Sequence, residues 1–128
     1  MSFDNVRFSK EHEWVQFEAD SNVVTIGITD FASGELGDIV FIEFPEVGQN
    51  VKAMEPMGTI EAVKTVADLF SPVTGAIKEV NGTLNDDPGL VNHSPYGEGW
   101  FVKIELADRS ELDGLMEKSE YDKMVGKD

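Results

Sequence analysis

Cysteine is absent from the 128 residues, which removes disulfides, thiol nucleophiles and thiolate metal sites together. Imidazole is scarce as well. His12 and His93 are the 2 histidines, too few for a histidine-built zinc site. No apolar run approaches the roughly 18 residues needed to span a bilayer. Positive charge is in short supply: 10 Lys and Arg face 25 Asp and Glu, leaving −15 at pH 7. Such a surface repels phosphate backbones and anionic lipids, so neither nucleic acid nor a membrane is an expected partner, whereas proteins with basic surfaces are. The opening Met1-Ser2-Phe3-Asp4-Asn5 lacks the basic stretch and apolar core of a signal peptide, and a cytoplasmic location is expected. The glycosylation-type triplets Asn81-Gly82-Thr83 and Asn92-His93-Ser94 are then coincidences of sequence.

What is present is a globular composition, 41% hydrophobic and 27% charged, sufficient for a core without staples. The length suits one domain over residues 1–128, with a β core over about 6–106 and a helical tail over about 108–126. Trp14 to Ala19, the turn-forming Asp20-Ser21-Asn22 and then Val23 to Ile28 predict a hairpin. Thr29 or Asp30 is placed to cap a short helix through Leu36. Ile39 to Phe44 is apolar at nearly every position and reads as a strand buried on both faces.

Punctuation then becomes dense, at Pro45, Gly48, Pro56, Gly58, Pro72, Gly75 and Asn81-Gly82, and many short strands between turns argue for an all-β sandwich or barrel. Gly48-Gln49-Asn50-Val51-Lys52 with Gly58-Thr59-Ile60 is faintly echoed by Gly75-Ala76-Ile77-Lys78 with Gly82-Thr83-Leu84, as two related half-units on either side of residue 64 would be. Asn85 to Gly99 reads as loop and Trp100 to Leu106 as a last strand, with Phe101 breaking its alternation. In the tail Leu112, Leu115 and Met116 share a helical face behind Ser110 or Asp108, and Ser119 is placed to cap a further short helix carrying Tyr121, Met124 and Val125.

One segment carries chemistry. In Gly58-Thr59-Ile60-Glu61-Ala62-Val63-Lys64-Thr65-Val66-Ala67-Asp68-Leu69-Phe70-Ser71-Pro72, two β-prone arms surround Lys64, which has no charged neighbour in sequence. A lysine at a hairpin tip is driven into water while its flanks hold it in place, which suits a modifying enzyme that needs an accessible amine at a rigid spot. A lone lysine in a turn is ordinarily just a solvated charge, so the weight rests on the surrounding pattern.

Glu61-Ala62-Val63-Lys64 followed by Ser71-Pro72-Val73-Thr74-Gly75 resembles the attachment hairpin of lipoyl- and biotin-carrying domains. Biotin carriers place Met on both sides of the lysine, and here Val63 and Thr65 stand there. Lipoyl domains of 2-oxoacid dehydrogenase complexes carry Asp where this chain has Val63. The glycine cleavage H-protein family resembles the chain along nearly its whole length: Ser9 to Val15, Val24 to Asp30, Leu36 to Gly48, Glu61 to Lys64, Ser71-Pro72, Asn92 to Trp100 with its Pro95-Tyr96-Gly97-Glu98-Gly99-Trp100 core, and Glu111-Leu112. One departure is Ala62, where the family commonly has Ser.

That resemblance implies a mainly β barrel-sandwich hybrid of lipoyl/biotinyl-domain type with short C-terminal helices, and a non-catalytic carrier with lipoate in amide linkage to Lys64. It implies as partners the decarboxylating glycine dehydrogenase, which loads an aminomethyl group, the aminomethyltransferase, which passes the one-carbon unit to tetrahydrofolate, and dihydrolipoyl dehydrogenase, which reoxidises the dithiol. A lipoate ligase or lipoyltransferase would install the group, and a carrier visiting several enzymes is expected to be a monomer. A lipoyl relay that donates lipoate to 2-oxoacid dehydrogenase complexes is the alternative the same residues allow. The loaded arm bears a cationic amine and is prone to hydrolysis, so a sheltering cleft with a carboxylate is expected. Glu13 and Asp68 are the residues that the resemblance nominates there. His12 is read as a loop histidine without a catalytic role, and Trp14 and Trp100 as core or cleft wall.

Overall fold

A computed structural model describes residues 3–126; Met1 and Ser2 of the N-terminal segment and Lys127 and Asp128 of the tail lie outside the described residues. Among the described residues nine strands form two sheets. The larger comprises β1 (Val6–Phe8), β2 (Glu13–Gln16), β3 (Val23–Ile28), β5 (Asn50–Val51), β8 (Gly75–Val80) and β9 (Val102–Leu106), in the order β1-β2-β3-β9-β8-β5. The smaller holds β4 (Ile39–Glu43), β6 (Pro56–Ala62) and β7 (Val66–Phe70), in the order β4-β6-β7. All pairings are antiparallel.

Alternation decides which side of each strand is buried. In β9, Val102, Ile104 and Leu106 point inward while Glu105 faces solvent. In β3, Val24 and Ile26 are fully buried. These join Ile39 and Ile42 from β4, Ile60 from β6, Leu69 from β7 and Ile77 from β8 in one cluster, so the facing sides of both sheets share a core. A second cluster of Val6, Phe8, Trp14 and Tyr121 lies under the C-terminal segment. Strand β3 carries Gly27 because Trp14 crosses over it: a Cβ there would stand 2.6 Å from the indole ring. The echoed segments lie side by side, with Gly48 N–H donating to the Ile77 carbonyl at 2.8 Å and Ile77 N–H to the Gln49 carbonyl at 2.9 Å.

Helix α1 (Asp30–Leu36) begins as expected, with the Thr29 hydroxyl accepting the Ala32 amide. Several expectations need correction. Strand β2 stops at Gln16: Phe17 N–H makes one further bond in the β1–β2 register, to the Asn5 carbonyl, and beyond it the Arg109 guanidinium binds the carbonyls of Glu18 and Ser21. Strand β4 is not buried on both faces: Val40 and Phe41 are 51% and 50% exposed. It lies at the edge of the three-stranded sheet and its register shifts between Ile39 and Phe41, which turns this pair outward.

The stretch Asn85 to Gly99 is not all loop. It holds the end of one single-turn helix, α2 (Thr83–Asp86), and the whole of another, α3 (Leu90–His93), each too short to show a helical period in sequence. Strand β9 starts at Val102; the Phe101 amide instead donates to the Ile26 carbonyl at 2.7 Å, and its ring is fully buried. In the tail, Asp108 caps a 3₁₀ helix (Arg109–Gly114) that contains Leu112, while Met116 lies beyond it and bridges Phe8. Helix α4 (Lys118–Val125) is capped by Glu117 and not by Ser119, because Glu117 and Glu120 form a reciprocal capping box. No described helix is long and apolar enough to cross a membrane.

Candidate functional site

Strands β6 and β7 pair through Glu61 opposite Val66, and the Ala62 amide closes the turn onto the Thr65 carbonyl at 2.8 Å. Val63 and Lys64 occupy the tip, both exposed, with Val63 at 75%. Among the described residues Lys64 is in no ion pair. The tip is not free-standing. Val63 N–H donates to the Asp38 carbonyl at 3.0 Å, which ties it to the turn between α1 and β4. In that turn Gly37 has φ +81°, and a Cβ there would stand 3.3 Å from Lys64 Cε. The lysine stem thus runs past a backbone position that suits glycine twice over, by conformation and by space.

Directly behind this turn lies a cleft of about 570 Å³. Phe31, Ala32, Glu35 and Leu36 of α1 form one wall, Ile60, Ala67, Asp68 and Phe70 of the hairpin form another, and Glu11, His12, Glu13 and Ile28 line the rest. Leu36 is the residue before Gly37, so one wall of the cleft ends at the turn that underlies the lysine stem. The structure brings the two nominated acids, Glu13 and Asp68, into this one cleft.

Their environments differ. Asp68 is exposed. Glu13 is 2% exposed, and burial pushes its carboxyl up to about 8 despite a 2.5 Å hydrogen bond from the Ser9 hydroxyl. At neutral pH Glu13 is therefore mainly a neutral acid. Ser9 is held in turn, its hydroxyl accepting the Glu13 amide at 3.1 Å.

His12 adopts φ +72° in the β1–β2 loop, which aims its ring at the cleft. The ring lies 5.0 Å from that of Phe31, and Nδ1 is 2.8 Å from the Tyr121 hydroxyl. Burial lowers the His12 pKa, with Glu11 and Glu35 pulling the other way. Tyr121, itself pushed up to about 12 by burial, meets the Thr29 hydroxyl at 2.7 Å. Trp14 is a core residue, its indole N–H donating to the Pro95 carbonyl at 2.9 Å. Trp100 is half-buried, with the Lys103 ammonium 5.2 Å from its ring. Neither tryptophan lines the cleft. Sequence reasoning passed over Ser9 and Tyr121. Ser9 stands in the same sequence block as Glu13, while Tyr121 arrives from a tail with no local signal of a site.

Residues 6–128 match the glycine cleavage H-protein family. The chain is 54% identical over 121 residues to the glycine cleavage system H protein of Brevibacillus brevis, covering 94% of each. To that of Bacillus mycoides it is 52% identical over 125 residues, covering 98% of this chain and 97% of the relative. The crystal structure of a glycine cleavage system H protein from Mycobacterium marinum superposes with a TM-score of 0.88 at 35% identity, covering 98% of this chain and 99% of that one. The fold is thus the mainly β barrel-sandwich with short helices. The chain belongs to the glycine cleavage H-protein family, the lipoyl carriers of the glycine cleavage system.

Proposed function

We propose that Lys64 bears the lipoyl group as an amide on Nζ, and that the cleft between α1 and the β6–β7 hairpin shelters the cargo at the end of that arm. The observation that carries this reading is that the turn under the tip leads directly into the cleft wall. Lys64 Cε passes Gly37, and the next residue back, Leu36, is already cleft wall. The lining is of a kind that suits a hydrocarbon arm, with Ile28, Phe31, Leu36, Ile60 and Phe70 around it. When bound, the lipoyl group supplies a redox-active disulfide. The residues of the chain hold, orient and exclude water.

Glu13 has the clearest part. Burial keeps its carboxyl mainly neutral at pH 7, and an ammonium group beside it would favour the charged form. Toward a cationic cargo Glu13 would act as a buried carboxylate, its proton passing to solvent. Asp68, exposed on β7, meets the same charge from the cleft mouth at higher dielectric.

On this reading the chain is a single-domain, monomeric carrier in the cytoplasm and performs none of the bond changes itself. Those belong to the decarboxylating glycine dehydrogenase, the aminomethyltransferase and dihydrolipoyl dehydrogenase, with a lipoate ligase or lipoyltransferase attaching the group. Tethering lifts the local concentration of the reactive sulfur at a docked enzyme to roughly the millimolar range. The test is intact mass after co-expression with a lipoate ligase. One lipoyl group is expected on the wild type, none on Lys64→Arg, and peptide mapping should place it at residue 64. A wild type that stays bare, or a Lys64→Arg protein that gains the group, overturns the assignment.

A further inference from the structure

Asn92, in the single turn of α3, uses both ends of its amide on the turn that supports the lysine. Its Nδ2 donates to the Gly37 carbonyl at 2.8 Å, and its Oδ1 accepts the Ile39 amide at 3.0 Å. One partner is an acceptor and the other a donor, so the orientation of the amide is settled by the partners themselves. The side chain spans the Gly37-Asp38-Ile39 segment like a staple, 53 to 55 positions away in sequence. Asp38, the residue between the two anchored positions, offers its carbonyl to Val63 N–H at 3.0 Å. Ile39 is paired with Ala62, on the other side of Val63. Gly37 itself lies beneath Lys64 Cε. The path from Asn92 to the lysine therefore runs through two hydrogen bonds to the turn, one more to the tip, and one van der Waals surface.

The β6 arm of the hairpin is tied to β4 as far as Ala62, opposite Ile39, so the support that Asn92 holds acts on the two tip residues beyond that pair. The single bond across the tip, from Ala62 N–H to the Thr65 carbonyl, fixes the width of the turn but not its direction relative to the body of the protein. Val63 and Lys64 have no packing of their own on the outer side, being exposed. The tip is aimed by what lies under it, and Asn92 holds that support.

We infer that Asn92 is a positioning residue for acylation of Lys64: it fixes the Gly37–Ile39 turn on which the amine is presented to the modifying enzyme. The inference rests on the reading of Lys64 as the attachment site. In that reaction the ligase provides an acyl adenylate, made from ATP and the free acid. The deprotonated Nζ attacks its acyl carbon, the amide C–N bond forms as the C–O bond to AMP breaks, and the ammonium gives up two protons in all, one before attack and one after. No redox change occurs. Asn92 touches none of these atoms. Its contribution is the placement of Nζ, for which displacements of an ångström cost up to roughly 100-fold in rate.

The experiment uses the full chain, purified unmodified, with a lipoate ligase, lipoate and ATP, and follows intact mass against time at several carrier concentrations. For Asn92→Ala the expected result is kcat lower by roughly 10- to 100-fold, with KM close to wild type because the surface contacted by the ligase is retained. Amide hydrogen exchange supplies a readout that general loosening would not mimic. Val63 should exchange at least about ten-fold faster, while β3 and β9 amides keep their protection. If Asn92→Ala does not fold, Asn92→Asp takes its place: it can still accept from Ile39 but cannot donate to the Gly37 carbonyl, and the same kcat loss and Val63 exchange are expected. A wild type that is modified at Lys64 while the folded variant is modified at the same kcat, or keeps its Val63 protection, overturns the role of Asn92 and leaves the attachment site standing. A wild type that is never modified overturns both.

Discussion

The phenol oxygen of Tyr121, in the last helix, stands 2.8 Å from Nδ1 of His12, 109 positions earlier in the chain. The same oxygen is 2.7 Å from Thr29 Oγ1, which also accepts the Ala32 amide at 3.2 Å and so caps α1. One hydroxyl thereby joins the C-terminal helix, the β1–β2 loop and the helix that walls the cleft. With His12 neutral, as its burial favours, a run of O–H donors from Thr29 to Tyr121 to His12 is fully paired.

Tyr121→Phe removes that junction and keeps the ring, which stacks on Phe8 at 4.8 Å. Thr29 and His12 are then left without their shared partner. A loss of about 1–3 kcal/mol is expected, the cost of buried polar groups deprived of a hydrogen bond. Urea unfolding reads it as a lower midpoint with an unaltered slope. An unmoved midpoint would mean that the hydroxyl contributes nothing to holding the tail.

Glu13 predicts a pH dependence. Its carboxyl ionises near the ordinary 4.5 in the unfolded chain and at about 8 in the folded one. Between those values the folded state binds the extra proton, so stability falls as pH rises through this window and levels off above it. Glu13→Gln is neutral throughout and escapes the loss. Relative to wild type the variant should gain up to about 1.4 kcal/mol per pH unit across the window, with no advantage below it. Chemical denaturation of both proteins from pH 4 to pH 9 checks this. Parallel curves would place the Glu13 carboxyl in the ordinary range.

Gly27→Ala tests the close approach of Trp14 to β3. The new Cβ would sit 2.6 Å from the indole carbons, and Trp14 is 1% exposed with its N–H committed to Pro95. The ring has no free direction in which to yield. About 1–3 kcal/mol of destabilisation is expected, together with a changed tryptophan fluorescence spectrum. A variant as stable as wild type would show that the second core cluster is more plastic than its packing implies.

Much of this architecture is legible in sequence wherever a rule of period 2 or a capping residue operates. The β3 and β9 strands, the Thr29 cap and the Lys64 hairpin are of that kind, because each depends on neighbours within a few positions. What escapes has two physical sources. Helices α2 and α3 are single turns, and four residues cannot display a period of 3.6. The outward face of β4 is invisible because Val40 and Phe41 are apolar yet lie at a sheet edge, and only topology says that nothing covers them. In the candidate site, Glu13 and Asp68 are nominated by the family resemblance and not by any local pattern. The difference between them is not legible in sequence, since it arises from burial. Asn92 was hidden for another reason: it falls in a glycosylation-type triplet and in a stretch that reads as loop, whereas its bonds reach back 53 to 55 positions.

That difference between the acids makes the last prediction. Both line the cleft, yet Glu13 is buried and Asp68 exposed. A carboxylate paired with a cation out of water is costly to remove, by several kcal/mol where pairing is complete, whereas an exposed pair is worth about 0–1 kcal/mol. In carrier loaded with the aminomethyl group, Glu13→Gln should therefore speed loss of the cargo to solvent by at least about ten-fold, and Asp68→Asn by less than about five-fold. Formaldehyde released from the isolated loaded carrier measures both rates. The Glu13 effect should also depend on salt less than the Asp68 effect, because a buried pair is poorly screened. Equal rates in the two variants and wild type would remove both acids from the site, and a larger effect from Asp68 would show that the cargo rests at the cleft mouth and not within it.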